Sequence, residues 1–229
     1  MNEIIGRIFK FETHVFAKHA DLYSRLATDG QSPKALMISC ADSRIAPELI
    51  LQAEPGDLFV TRNAGNIVPP FSQANGGVSS AVEYAVVALG VTDIIVCGHS
   101  GCGAMEALQR PGALDGMPNV AAWLRHAHAA ESVVRCYPDL SDAERLRVLT
   151  LENVVCQLAH LRTHPSVAAA IARGKVALHG WLVDIHSGSI LALDETSGHF
   201  TPVRSNSPLP VALPHASRLA AHETLKRSA

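Results

Sequence analysis

Ala35-Leu-Met-Ile-Ser-Cys-Ala-Asp-Ser-Arg44 decides the fold. Its first half is a short apolar run, the length of a strand buried on both faces. Cys40 ends that strand, and the chain turns polar at once. Asp93-Ile-Ile-Val-Cys97 repeats the pattern and runs into a Gly-rich turn, Gly98-His-Ser-Gly-Cys-Gly103. Between the two, Asp57 to Arg62 reads as a further strand, and Val78 to Leu89 as a helix stopped by Gly90. Short apolar strands alternating with helical patterns predict an α/β fold, with a central, mostly parallel β-sheet and flanking helices.

Working outward, Asn119 is placed to cap a helix through Ala130. Ser141-Asp-Ala-Glu144 is a capping-box pattern that opens a helix reaching about Arg162. Pro165 to Arg173, followed by Gly174, reads as a short helix. Val176 to Ile185 and Ser189 to Leu193 flank Ser187-Gly188 as a hairpin, which adds an antiparallel edge strand. From Met1 to Lys18 the spacing of Ile4, Ile5, Ile8, Phe11, Val15 and Phe16 is that of an amphipathic helix. Residues 1–30 are therefore expected to form a helical arm that packs on a second subunit, giving a homodimer or a higher homo-oligomer. Residues 1–204 read as one α/β domain. Residues 205–229, with Pro208, Pro210 and Pro214, read as a C-terminal tail.

Composition narrows the function. The chain has 229 residues, 48% of them apolar, and a formal net charge of −2 with no dense Lys/Arg stripe. A nucleic-acid partner is not expected. No apolar run approaches the ~18 residues of a membrane span, and the N-terminus has no uninterrupted apolar core of a secretory signal. The five cysteines fit reduced thiols in the cytoplasm better than a disulfide framework. The Gly98–Gly103 turn lacks dinucleotide-loop spacing, and no phosphate loop is present.

Cys40, His99 and Cys102 offer two thiolates and an imidazole, a donor set that Zn²⁺ favours. Three protein ligands leave a catalytic zinc an open position, whereas four close it. Asp42 has two possible roles. It can be a fourth ligand in a closed state, or it can pair with Arg44, whose guanidinium clasps a carboxylate through two hydrogen bonds. Both motifs fall at the C-terminal ends of strands, where open α/β sheets place their sites. Amide groups at a helix start are expected to lower the Cys102 pKa. Cys97 lies in a strand, and Cys136 and Cys156 have no ligand-type neighbours at metal spacing. His126, His128 and His160 carry no readable role.

Cys-Ala-Asp-Ser-Arg and His-Ser-Gly-Cys-Gly, in this order and separation, resemble the two zinc segments of the β-class carbonic anhydrases. The likeness extends from about Gln31 to Leu193, and includes Arg62-Asn-Ala-Gly-Asn66 and Glu83-Tyr-Ala-Val86. The resemblance implies reversible hydration of CO₂ to bicarbonate and a proton, one Zn²⁺ per subunit on Cys40, His99 and Cys102, and Asp42 with Arg44 as a catalytic dyad. It also implies a substrate pocket from Gln31, Phe59 and Tyr84, built at a dimer interface from both subunits. Taken alone, Phe59 and Tyr84 read as core and Gln31 as surface. In one subtype of the family a Trp, an Arg and a Tyr bind inhibitory bicarbonate. Met37, Arg62 and Val183 stand at those positions, so that site is incomplete. Ala88 stands where plant members carry a His that is a possible proton shuttle. Rival readings are a hydrolase of carbon disulfide or carbonyl sulfide on the same fold, and a non-catalytic zinc or bicarbonate-binding module.

Overall fold

β1 (Ala35–Cys40) is buried along its whole length, as expected of a strand with neighbours on both edges and layers on both faces. The computed structural model describes residues 1–72 and 76–203. β1 lies parallel to β2 (Leu58–Asn63) on one side and to β3 (Asp93–His99) on the other. β4 (Ala177–Val183) continues the parallel set beside β3. β5 (Ile190–Asp194) and β6 (His199–Pro202) then add antiparallel. The resulting order is β2-β1-β3-β4-β5-β6. The chain leaves β1 towards one side and returns on the other, so the crevice between the C-terminal ends of β1 and β3 is a topological switch point. Cys40 and His99 are the last residues of those two strands.

Residues 2–29 are helical throughout: α1 (Asn2–Lys10), a π-helical turn (Phe11–Phe16) and α2 (Ala17–Asp29). The helical stretch matches the arm expected over residues 1–30. No side chain described in it is buried, and Ile4, Ile5, Ile8, Phe9, Phe11, Val15 and Phe16 are all exposed. α2 meets the sheet domain at Leu26, which lies over Gly56. α3 (Pro47–Leu51) follows β1, and α4 (Gly77–Glu83) continues into a second π-helical turn (Tyr84–Ala88) before β3.

After β3 come α5 (Gly103–Gln109), α6 (Pro118–Leu124), a 3₁₀ turn (Arg125–Ala127) and α7 (His128–Arg135). Asn119 does not cap this region. Pro118 occupies the first helical position, where its missing N–H costs nothing, and Met117 is the cap. α8 (Asp142–Thr163) opens on the expected capping box: Glu144 donates its amide to Ser141 Oγ, and Ser141 donates its amide to Glu144 Oε2. α9 (Pro165–Ala172) leads into β4.

One sheet face is covered by α4, α8 and α9, with Leu36, Ile38, Ile94, Val96 and Leu182 meeting Val82, Val154, Leu158 and Val167. On the other face Met37, Ile95, Cys97 and Val183 pack with Ile45 and with Ile50 and Leu51 of α3. α8 comes so close to the sheet that a Cβ on Gly98 would stand 2.9 Å from Val154. Gly180, beside it on β4, faces the same crowding from Val154 and Leu158, each at 2.9 Å. The sequence predicted one antiparallel edge strand; the structure has two. β6 is reached through a turn at Gly198 (φ +73°) and buries Phe200 against the main core. The 205–229 tail lies outside the described residues. Among the described residues no helix is long and apolar enough to cross a membrane.

Candidate metal centre

The switch point delivers two of the three candidate ligands, and the turn after β3 delivers the third. Gly101 (φ +61°) bends the chain so that Cys102 becomes the cap of α5. Ser100 pins this turn to β4, donating its amide to the Val183 carbonyl and accepting the Ile185 amide on Oγ. Cys40, His99 and Cys102 are buried, with His99 and Cys102 fully so. Their ligand atoms all lie within 4.8 Å of one another, and the two sulfurs are 4.0 Å apart. Among the described residues no other group of three metal-ligating side chains converges in this way.

His99 shows what the cluster lacks. Nδ1 lies 3.0 Å from the Ser100 carbonyl, to which it donates. That leaves Nε2 as the lone-pair nitrogen, buried and without a hydrogen-bond partner. A buried nitrogen without a partner, facing two thiols, fits a group able to hold a metal ion. The donor set, S₂N with the Ser100 carbonyl holding the histidine ring, is one that zinc takes.

The two sulfurs shift one another in opposite directions. The hydrogen bond from Cys102 is the largest influence drawing the Cys40 pKa down to about 4; burial opposes it, and His99 with the amides of Asp42 and Gly65 assist. Cys102 is pushed up instead, by Cys40 first and burial second, although the amides of Met105 and Ala104 work the other way. The amides at the start of α5 therefore act on Cys102 as predicted, but the lowered thiol is Cys40. His99 is raised: burial works against its cation, and the Cys40 sulfur outweighs it.

Asp42 faces Arg44. Arg44 donates Nε to Oδ1 at 2.9 Å, Nη2 to Oδ2 at 2.7 Å and its own amide to Oδ1 at 3.0 Å. Arg44 Nη2 also reaches the Gly101 carbonyl at 3.0 Å, tying the dyad to the turn of Cys102. The guanidinium holds the Asp42 carboxyl well below the usual carboxylate range. Asp42 Oδ2 is 3.8 Å from His99 Nε2, so the carboxylate borders the candidate ligands while its hydrogen bonds go to arginine.

Phe59 and Tyr84 are brought together, with ring centroids 5.9 Å apart, and Tyr84 is exposed. They are not brought to the cysteines. Phe59 pairs with Leu36 and Asn63 with Cys40, so the aromatic pair lies about four strand residues, roughly 13 Å, from the cluster. Gln31 is exposed in the link between α2 and β1, at that same far end. Met37 and Val183 sit in one buried apolar cluster. Arg62 turns back to the carbonyls of Cys40 (3.1 Å) and Asp42 (2.8 Å).

A supporting layer went unread in the sequence. Gly65 (φ +80°) presents its amide to the Cys40 sulfur. A Cβ there would stand 3.0 Å from Met105 Cε and 3.3 Å from Ala104, so both backbone and space call for glycine. Asn153 of α8 donates to the Gly65 carbonyl at 2.9 Å, Trp123 donates to that of Ala64 at 3.0 Å, and Gln157 accepts the Val68 amide at 2.9 Å. The signal was available: two amide side chains one helical turn apart, amid apolar neighbours on a long helix.

The carbonic anhydrase family model matches residues 35–190. A carbonic anhydrase of Pseudomonas aeruginosa is 52% identical over 200 residues, covering 87% of this chain and 90% of that protein. The solved structure of the β-carbonic anhydrase CcaA is similar with a TM-score of 0.86 and 42% identity, over 92% of this chain and 95% of that one. A tetrameric β-carbonic anhydrase of Sordaria macrospora is similar with a TM-score of 0.71 and 29% identity, over 84% and 95%.

Proposed function

The chain belongs to the β-carbonic anhydrase family, and on that premise we propose that it is a zinc-dependent carbonic anhydrase that hydrates CO₂ reversibly to bicarbonate and a proton. One observation carries the reading. Three buried donors converge with the histidine nitrogen free, while the neighbouring carboxylate is held by an arginine. Cys40, His99 and Cys102 would hold the ion, which supplies a nucleophile at neutral pH by acidifying water.

The chain's own groups do the positioning. Asp42, clasped on both oxygens, remains a carboxylate and so accepts a hydrogen bond from the attacking oxygen, turning its lone pair to the CO₂ carbon. Arg44 keeps Asp42 from becoming a fourth ligand. Amides of Gly65 and of the first turn of α5 support the thiolates. A catalytic role, not a static zinc or bicarbonate module, is what this division of labour suits.

Gln31, Phe59 and Tyr84 would line the substrate pocket of a second copy's centre, since their place at the far end of the sheet keeps them from their own. An apolar wall suits CO₂, and an amide donor suits a developing bicarbonate oxygen. The exposed apolar arm of residues 2–29 and the tetrameric relative support a homo-oligomer. Met37 and Val183 offer an inhibitory bicarbonate no polar atom beside Arg62, so rates should be insensitive to added bicarbonate beyond product inhibition.

Stopped-flow CO₂ hydration, with zinc stoichiometry on the same preparation, tests the proposal. We expect a rate that rises with pH towards alkaline solution. A zinc-loaded oligomer that never exceeds the buffer blank overturns it, and turnover of carbon disulfide or carbonyl sulfide in place of CO₂ would shift the substrate.

A further inference from the structure

Cys156 and His160, which the metal centre does not use, stand one turn apart on α8. Cys156 Sγ lies 3.7 Å from His160 Nε2 and 3.6 Å from the His126 carbonyl, so its proton has two acceptors. The opposite ring nitrogen fixes the tautomer. His160 Nδ1 faces the Val68 carbonyl at 2.7 Å and Gln157 Oε1 at 3.1 Å. Gln157 itself is oriented, since its Nε2 donates to the His126 carbonyl and Asn153 Oδ1 and its Oε1 accepts the Val68 amide. Both atoms facing Nδ1 are thus acceptors, so Nδ1 carries the hydrogen and Nε2 presents a lone pair to the thiol. Nucleophile, base and a carbonyl that holds the base follow one another, as in an activated thiol.

The surroundings suit that role. Burial first, then His126 and His164, lower the His160 pKa, with the Val68 carbonyl opposing; this keeps the ring neutral with Nε2 unprotonated, and it also makes the ring a weaker base. Cys156 is only partly buried. The remaining thiols outside the centre differ. Cys97 is enclosed, and burial pushes it up to about 12. Cys136 is exposed and donates to the Ser132 carbonyl.

We propose that Cys156 is a modification site, a nucleophilic thiol with His160 as its base, that forms mixed disulfides with low-molecular-weight disulfides. The thiol proton passes to His160 Nε2 as sulfur attacks one sulfur of the reagent. The reagent's S–S bond breaks, and its departing thiolate takes the proton from His160. One thiol and one disulfide enter; one thiol and one disulfide leave, and no further oxidant is needed. The new group would lie against the His126 carbonyl and the ring that holds Val68, on the helix that also anchors Gly65.

The test is site-resolved mass spectrometry of the zinc-loaded protein treated with glutathione disulfide, with Cys136 as internal reference. Although Cys136 is the more exposed, Cys156 should react roughly tenfold faster, and His160→Gln should remove that advantage. Zinc content and the Cys136 rate report whether the variant is folded. A Cys156 rate no greater than that of Cys136 in the unmodified sequence overturns the proposal without recourse to any variant. An unchanged ratio in a folded His160→Gln protein overturns the role of His160.

Discussion

The two ends of the parallel sheet are built to different degrees of completion. At the C-terminal ends of β1 and β3, one chain supplies every donor, buries them and braces them from α8. At the opposite end, half-buried Phe59 and exposed Tyr84 form an aromatic pair, with Gln31 at the same end of the sheet, and the apolar residues of the arm from Ile4 to Phe16 are exposed. Metal ligation needs sub-ångström placement, which a single rigid fold provides. A pocket for a small apolar molecule tolerates assembly from two surfaces. On the proposed function, the contrast implies that metal affinity would belong to the subunit and turnover to the oligomer.

Cys102→Ser should break the finished end most severely. We expect zinc loss by metal analysis and a fall in CO₂ hydration of about three orders of magnitude or more; a stoichiometric, active variant would remove Cys102 from the ligand set. Arg44→Ala comes next, with zinc retained and activity lowered about a hundredfold. Its pH profile carries the sign. With Arg44 present, Asp42 is held below the ordinary carboxylate range, so it adds no ionisation between about pH 5 and 9. Its folded pKa is depressed, so its pairing contributes fully above about pH 4 and is lost as acid takes the pH down through the folded value. Removing the guanidinium should return the carboxyl towards its ordinary range and bring acid sensitivity closer to neutrality.

The unfinished end is probed by Ile8→Glu with Phe9→Glu. Sedimentation should show smaller particles that keep their zinc, with activity down about tenfold as the composite pocket opens. Retained oligomer and rate would break the comparison. The smallest effect is expected at Gly98→Ala, where the added methyl meets Val154 of α8. Chemical denaturation should register about 1–3 kcal/mol of lost stability with the zinc ligands intact.

Much of this was legible before any coordinates. Apolar strands read as ending at Cys40 and Cys97, each running into a chemical motif, announced the sheet and the candidate site, because two such motifs at strand ends mark one edge. The capping box at Ser141 and Glu144 marked the start of α8 to the residue. What escaped notice depends on contacts between distant segments. Gly65 reads as a turn residue until Ala104 and Met105 are seen beside it. β6 was missed because four residues of mixed character make a strand only when β5 offers an edge. Which thiol is lowered also depends on the pair, not on the helix start that the sequence reveals.

The full burial of His99 and Cys102, noted above as a matter of exposure, has a consequence in time. A chelator has little direct access to donors buried this deeply, so release of a bound zinc ion would draw on transient openings of the fold. Asn153 links the Gly65 segment to α8, which makes undocking of that helix the natural gate. Metal release should then be independent of chelator concentration once capture outpaces reclosing, and should track amide hydrogen exchange along residues 150–158. The lifetime of the holoenzyme would be set by helix breathing, not by the strength of the zinc–sulfur bonds.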